Sequence, residues 1–118
     1  FRILLIHHPP LPQSLDVLRA LRDRGALHRV LRRVGCELVL HGHEHRDLRG
    51  SLPGPHGDIP IIGVGSGTYS DPRADRRARY NIYTVEEKAK GQFNWQVEQR
   101  IFSPEHGEFR AADATRAA

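Results

Sequence analysis

Two apolar runs in this chain end in histidines. One is Leu4-Leu5-Ile6-His7-His8-Pro9-Pro10, and the other is Leu38-Val39-Leu40-His41-Gly42-His43-Glu44-His45. A neutral imidazole offers a metal ion one ring nitrogen and donates from the other to a neighbouring acceptor. In extended backbone, residues i and i+2 share a face, so His43 and His45 converge if their segment continues the strand. Gly42 carries no side chain and lets the backbone pass close to whatever the imidazoles hold. Either motif alone is weak evidence, and H-x-H alone is more often a solvated loop than a ligand pair.

The elements between the motifs bring them together. Phe1 to Ile6 reads as a continuous apolar strand, the kind covered on both faces. Pro9, Pro10 and Pro12 cannot extend it, so a stiff loop leaves its end. Leu15, Leu18 and Leu21, then Leu27, Val30, Leu31 and Val34, recur at helical spacing. Gly25 is a candidate break in that helix, and Gly35 suits its C-terminal stop. Glu37 to Leu40 is the second apolar strand. A strand–helix–strand unit lays its strands side by side with both C-terminal ends at one sheet edge, so His7 should meet His43 and His45 there. Open α/β sheets bind their ligands at that edge.

Downstream, "GSLPGPHGD" is turn chemistry. "IPIIGVG" reads as a third strand and "GTYSDPRADRRAR" as a long polar loop. "YNIYTVEE" and "QFNWQVEQRIF" alternate as half-exposed strands about a hairpin turn at "EEKAKGQ". "RAADATRAA" reads as a frayed tail.

The 118 residues amount to about one domain, and 38% are hydrophobic, which excludes a disordered chain. The net charge of +4 is almost entirely arginine, with Lys88 and Lys90 the only lysines. Such a balance suits phosphate-bearing ligands, though Arg22, Arg24, Arg29, Arg32 and Arg33 equally form a solvated helix exterior. The single cysteine, Cys36, excludes an internal disulfide and a multi-cysteine zinc site, and its setting is that of a small buried hydrophobe. No apolar run reaches membrane-spanning length, so no membrane partner is expected, and the expected location is cytoplasmic. There is no methionine, and Phe1 opens what reads as a core strand. The expectation is therefore a single partial domain over residues 1–118, with an N-terminal half missing.

The pair "IHHPP" and "HGHEH", at strand–helix–strand spacing, resembles the C-terminal half of the calcineurin-like metallophosphoesterase superfamily. The match is specific from Ile3 to about Arg46, and "LPGP…IPIIGVGS" and "ARYNIY" resemble the following sheet more loosely. The resemblance implies an α/β fold: the C-terminal half of a four-layer α/β/β/α sandwich with mixed β-sheets. It implies a dinuclear metal site in which His7 and His43 ligate one ion and His45 the other. The family's D-x-H, G-D-x-x-D and G-N-H-[DE] motifs have no counterpart here, so the bridging carboxylate would lie upstream. The implied cofactors are two divalent or trivalent ions. Imidazole suits Zn or Fe and carboxylates admit Mn, which leaves the metal open. The implied activity is hydrolysis of phosphodiesters or phosphomonoesters of small molecules or nucleotides, with the 118 residues inactive alone.

His8 either orients a ligand, touches substrate or packs beneath Pro9. Arg46 either pairs with substrate phosphate or forms a surface salt bridge. His41 reads as a structural neighbour of the site, and Glu44 alternates away to solvent. His28, His56 and His106 read as solvated, and Trp95 as core. Gly63, Gly65 and Gly67 permit close backbone approach. Thr68, Tyr69 and Ser70 with Arg73, Arg76 and Arg77 could shape a phosphate-binding loop. Three rival functions stand beside the enzyme: a nuclease of the same superfamily, a non-catalytic scaffold of that fold, and a mononuclear His-only zinc module. Nucleic acid is the less favoured partner; a phosphate-ester substrate and the missing half of the domain are the favoured ones.

Overall fold

The computed structural model of the chain describes residues 1–11, 21–69 and 73–112. It is mixed α/β, with one mixed sheet, one antiparallel sheet and one α-helix among the described residues. Two compact units divide the chain, Phe1–Val64 and Gly65–Ala118.

In the first unit, β1 (Ile3–Ile6), β2 (Leu38–His41), β3 (Leu48–Gly54) and β4 (Gly57–Gly63) form a sheet in the order β1-β2-β4-β3. β1 and β2 are parallel, with Ile6 opposite His41, and α1 (Arg24–Val34) connects them. β2 and β4 are also parallel, with His41 opposite Gly63. The crossover therefore places His7 and Gly42 at one edge, where the Gly42 N–H donates to the His7 carbonyl at 3.2 Å. Leu31 of α1 is buried with Val39, Leu52, Ile59 and Ile61, and Leu4, Ile6, Leu11, Leu27 and Cys36 pack around that cluster. The Gly35 N–H closes the helix on the Leu31 carbonyl at 2.8 Å, with Gly35 at φ 66°. That left-handed stop is glycine's usual task.

Two expectations need correction here. Among the described residues β1 is an edge strand, and Leu5 is 72% exposed and Ile3 43%, so only alternate residues face the core. "GSLPGPHGD" is not one long turn: β3 and β4 form a hairpin, and only Pro55 and His56 lie outside the strands. Pro53 is tolerated because β3 is the other edge, and the ladder from β2 starts at Ile61, one residue past Pro60. Gly25 lies in the first turn of α1, which starts at Arg24, and Leu21 precedes the helix. Leu15 and Leu18 lie outside the described residues.

In the second unit, β5 (Arg79–Ala89), β6 (Gln92–Ser103) and β7 (Glu108–Ala111) form an antiparallel meander. Gly91, at φ 77°, turns the first hairpin where "EEKAKGQ" predicts it. β7 is an addition to the sequence reading, since it claims Arg110 and Ala111 from the expected tail. Trp95 is half-buried and lines an open groove with Phe93, Thr84 and Gln96, so it is not the core residue its strand pattern suggests. Tyr80, Phe102 and Phe109 pack edge to face across the three strands.

Candidate metal centre

The site grows from the carboxyl ends of β1 and β2. His7 follows β1 directly, and its Nε2 lies 3.1 Å from Nδ1 of His43. One nitrogen donates and the other accepts, so the two rings share a proton. Two nitrogens bound to one tetrahedral ion at about 2.0–2.1 Å stand roughly 3.3 Å apart. The observed spacing therefore fits a ligand pair as well as a hydrogen bond. His8 joins them, with ring centroids 4.9 Å from His7 and 4.4 Å from His43. The ligating atoms of His7, His8 and His43 all lie within 4.8 Å of one another.

The second motif is not extended. β2 ends at His41, and His43 and His45 both take left-handed backbone, at φ 70° and 53°. The Glu44 N–H closes a three-residue turn on the Gly42 carbonyl at 2.9 Å. The strand argument for the convergence of His43 and His45 therefore does not apply. His43 turns back toward His7, while His45 is exposed and lies outside the three-histidine group. Non-glycine residues in such backbone cost about 1–3 kcal/mol each and concentrate at functional sites.

Glu44 corrects the sequence reading. Its side chain is only 8% exposed, its Oε2 lies 3.9 Å from Nη2 of Arg46, and its Oε1 is buried with no hydrogen-bond partner among the described residues. Arg46 keeps 41% of its side chain in solvent while its Nε is buried with no partner among the described residues. At 3.9 Å the pair is a weak contact rather than a fixed salt bridge.

His41 is buried, and its Nδ1–H donates to the Gly42 carbonyl at 3.0 Å. Burial pushes its pKa below the usual histidine value, so it is neutral at pH 7. It sits against Gly63, where a methyl group would come within 2.5 Å of its ring. Glycine is thus what admits this imidazole between β2 and β4.

His28 is the residue the sequence reading missed. It is not solvated: its Nε2–H donates to the Pro10 carbonyl at 2.7 Å. Pro9 and Pro10 are fully buried. Helix α1 therefore pins the loop that carries His7 and His8. The available signal was the spacing of Leu27, His28 and Leu31, which puts His28 beside the apolar stripe. His56 and His106 are exposed, as expected. Cys36 packs at the core margin, and burial pushes its thiol pKa up, which leaves it an inert thiol.

In the second unit, the Ser66 hydroxyl accepts the N–H groups of Thr68 and Tyr69 at 3.3 and 3.2 Å. Arg79 is buried, with its stem against Gly65 and its Nε–H on the Arg77 carbonyl. Arg77 Nε is buried with no hydrogen-bond partner among the described residues. Ser70 lies outside the described residues. No helix of the described residues is long and apolar enough to cross a membrane.

No family model matches the chain. A cAMP/cGMP dual specificity phosphodiesterase of Mycobacterium tuberculosis is 44% identical over 61 residues, which cover 50% of this chain and 18% of that protein. A Rhodococcus erythropolis protein named "Probable cyclic nucleotide phosphodiesterase" is 39% identical over 70 residues, covering 58% of this chain and 22% of its own. The chain thus spans about a fifth of the length of the curated relatives it matches. At family level these relatives are phosphodiesterases by name, consistent with the metallophosphoesterase resemblance of the histidine motifs.

Proposed function

We propose that this chain is part of a calcineurin-like metallophosphoesterase that hydrolyses phosphodiesters, with cyclic nucleotides as the substrate class its relatives' names suggest. The observation that carries the reading is the 3.1 Å approach of His7 to His43 at the carboxyl ends of two adjacent parallel strands. In this reading residues outside the chain complete a four-layer α/β/β/α sandwich. His7 and His43 hold one ion and His45 the other, the ions being Mn, Fe or Zn. When bound, such a pair lowers the pKa of a water and neutralises charge on the phosphoryl group.

This chain's own residues have narrower tasks. His7 and His43 present neutral nitrogen lone pairs, held in place by the strand ends. Arg46, with 41% of its side chain in solvent, offers its guanidinium to a phosphate oxygen. No carboxylate belongs to the three-histidine group, so the reading takes the bridging carboxylate from outside these residues. The 118 residues alone are therefore inactive.

The test uses the full-length protein, stripped with chelator and refilled with Mn, Fe or Zn, against cyclic AMP and an aryl phosphodiester. Metal-restored hydrolysis that His43→Ala abolishes is the expected result. Full-length protein inert with every metal and both esters would overturn the reading, as would turnover by the isolated chain.

A further inference from the structure

We propose that the outer face of α1 is a docking surface for an anionic phospholipid membrane, on which the protein lies peripherally. That role is independent of phosphodiesterase activity. Residues 21–35 hold five arginines, Arg22, Arg24, Arg29, Arg32 and Arg33, against one acid, Asp23. This is the whole of the chain's net charge of +4, because the other 103 residues balance 13 basic side chains against 13 acidic ones.

The charge is concentrated and unpaired. No ion pair joins any of the five guanidinium groups to a carboxylate among the described residues. The next acid in the sequence, Glu37, is held by Arg2. Helix stability does not account for the pattern. The first turn holds no acid, and Arg24 opens the helix at the positive end of its dipole. Arg32 and Arg33 suit the negative end, but Arg29 and Arg33 lie four residues apart and repel one another. An array that opposes its own helix fits an anionic partner.

Two valines choose the partner. Leu27 and Leu31 face the core, so Arg29 and Arg33 lie near the centre of the opposite, exposed side. Val30 and Val34 stand beside them one turn apart, each 48% exposed. A nucleic-acid backbone would take the arginines and give the valines nothing to cover them. At a bilayer surface the guanidinium groups meet lipid phosphates while the valines enter the headgroup–acyl boundary. The arginine stems bury along the same boundary. With 11 residues, α1 is about 17 Å long, so it lies on a bilayer and does not cross it.

The experiment sediments the full-length protein with vesicles of phosphatidylcholine, with and without phosphatidylglycerol, circular dichroism reporting the fold of each variant. Binding should require the anionic lipid and fall away in molar salt, where the Debye length shrinks to about 3 Å. A basic residue near an anionic leaflet is worth about fivefold in partition, so Arg29→Gln with Arg33→Gln should lower binding roughly 20-fold. Lys88→Gln with Lys90→Gln removes the same charge from the exposed tip of the β5–β6 hairpin and should change binding little. Val30→Thr with Val34→Thr should weaken vesicle binding and leave retention by duplex DNA unmoved. No partition of the full-length protein onto anionic vesicles would overturn the inference, and binding by the 118-residue chain alone would then assign this face to the rest of the protein. Equal losses from the arginine and lysine pairs, or indifference to the valine pair, would overturn it as well. Tighter binding to duplex DNA than to the vesicles would overturn it in favour of nucleic acid.

Discussion

Nε2 of His28 lies 2.7 Å from the carbonyl oxygen of Pro10, and this bond ties helix α1 to the loop bearing His7 and His8. A part-buried hydrogen bond of this kind is worth about 0.5–1.5 kcal/mol, and stranding its acceptor costs about 1–3 kcal/mol. His28→Ala should therefore destabilise the chain by about 1–2 kcal/mol in denaturant unfolding. It should also weaken Zn(II) binding although His28 touches no ion. A variant that loses stability with its affinity unchanged would make the bond merely structural.

His45 is exposed and its φ is 53°. An L-residue pays roughly 1 kcal/mol for that conformation, whereas glycine pays almost nothing. His45→Gly should therefore be at least as stable as His45→Ala, reversing the usual order of about 0.5–1 kcal/mol in favour of alanine. Urea midpoints of the two variants decide the sign. On the dinuclear reading proposed above, both should lose hydrolysis alike in the full-length protein, because the imidazole is gone from each.

The strand–helix–strand unit was legible because long-range order there follows from local pattern. Apolar runs, a helical stripe and Gly35 fix β1, α1 and β2, and parallel pairing then forces His7 toward His43. What stayed illegible depends on neighbours. The sequence of β1 is as apolar as a strand covered on both faces, yet among the described residues the face that carries Leu5 lacks a covering layer. "GSLPGPHGD" is rich in turn formers, yet Leu52 and Ile59 are buried and pull Leu48–Gly54 and Gly57–Gly63 into strands. The left-handed backbone at His43 and His45 has no sequence signature, since neither is glycine. Glu44 looked like the outward residue of an alternating strand, and the loss of that alternation is what buries it. His28 lay in plain view, but its acceptor is a carbonyl, to which any residue type contributes.

Arg2 binds Glu37 through its backbone N–H and its guanidinium, with Nη2 to Oε1 at 2.9 Å, and a further N–H reaches the Val34 carbonyl at 3.0 Å. These hydrogen bonds, aided by the charge of Arg2, hold the Glu37 pKa down to about 2. The folded-state value is thus below the unfolded one, so the unfolded chain binds protons first. The contribution is present above the ordinary glutamate range and is lost as pH falls from about 4.5 toward 2. Both side chains are well solvated, so salt screens part of the effect. Glu37→Gln should flatten the stability curve across that window and leave it unchanged at neutral pH apart from a constant offset. An unaltered acid limb would show that the pair does not set it.

Gly63 admits the buried ring of His41, and a Cβ there would lie 2.5 Å from Cε1 and 2.7 Å from Nε2. The ring cannot retreat cheaply, because its Nδ1–H is committed to the Gly42 carbonyl. Gly63→Ala should cost about 1–3 kcal/mol, the usual penalty for overpacking. Truncating the ring removes the obstacle, so Gly63→Ala should cost much less in a His41→Ala background. A double-mutant cycle in denaturant measures that coupling, and strict additivity would remove the clash as the cause. Because His41 ends β2 one residue before Gly42, the single substitution should also loosen the turn that carries His43. Weaker Zn(II) binding in Gly63→Ala, restored in part by the second substitution, would trace the centre's geometry to the space one glycine leaves.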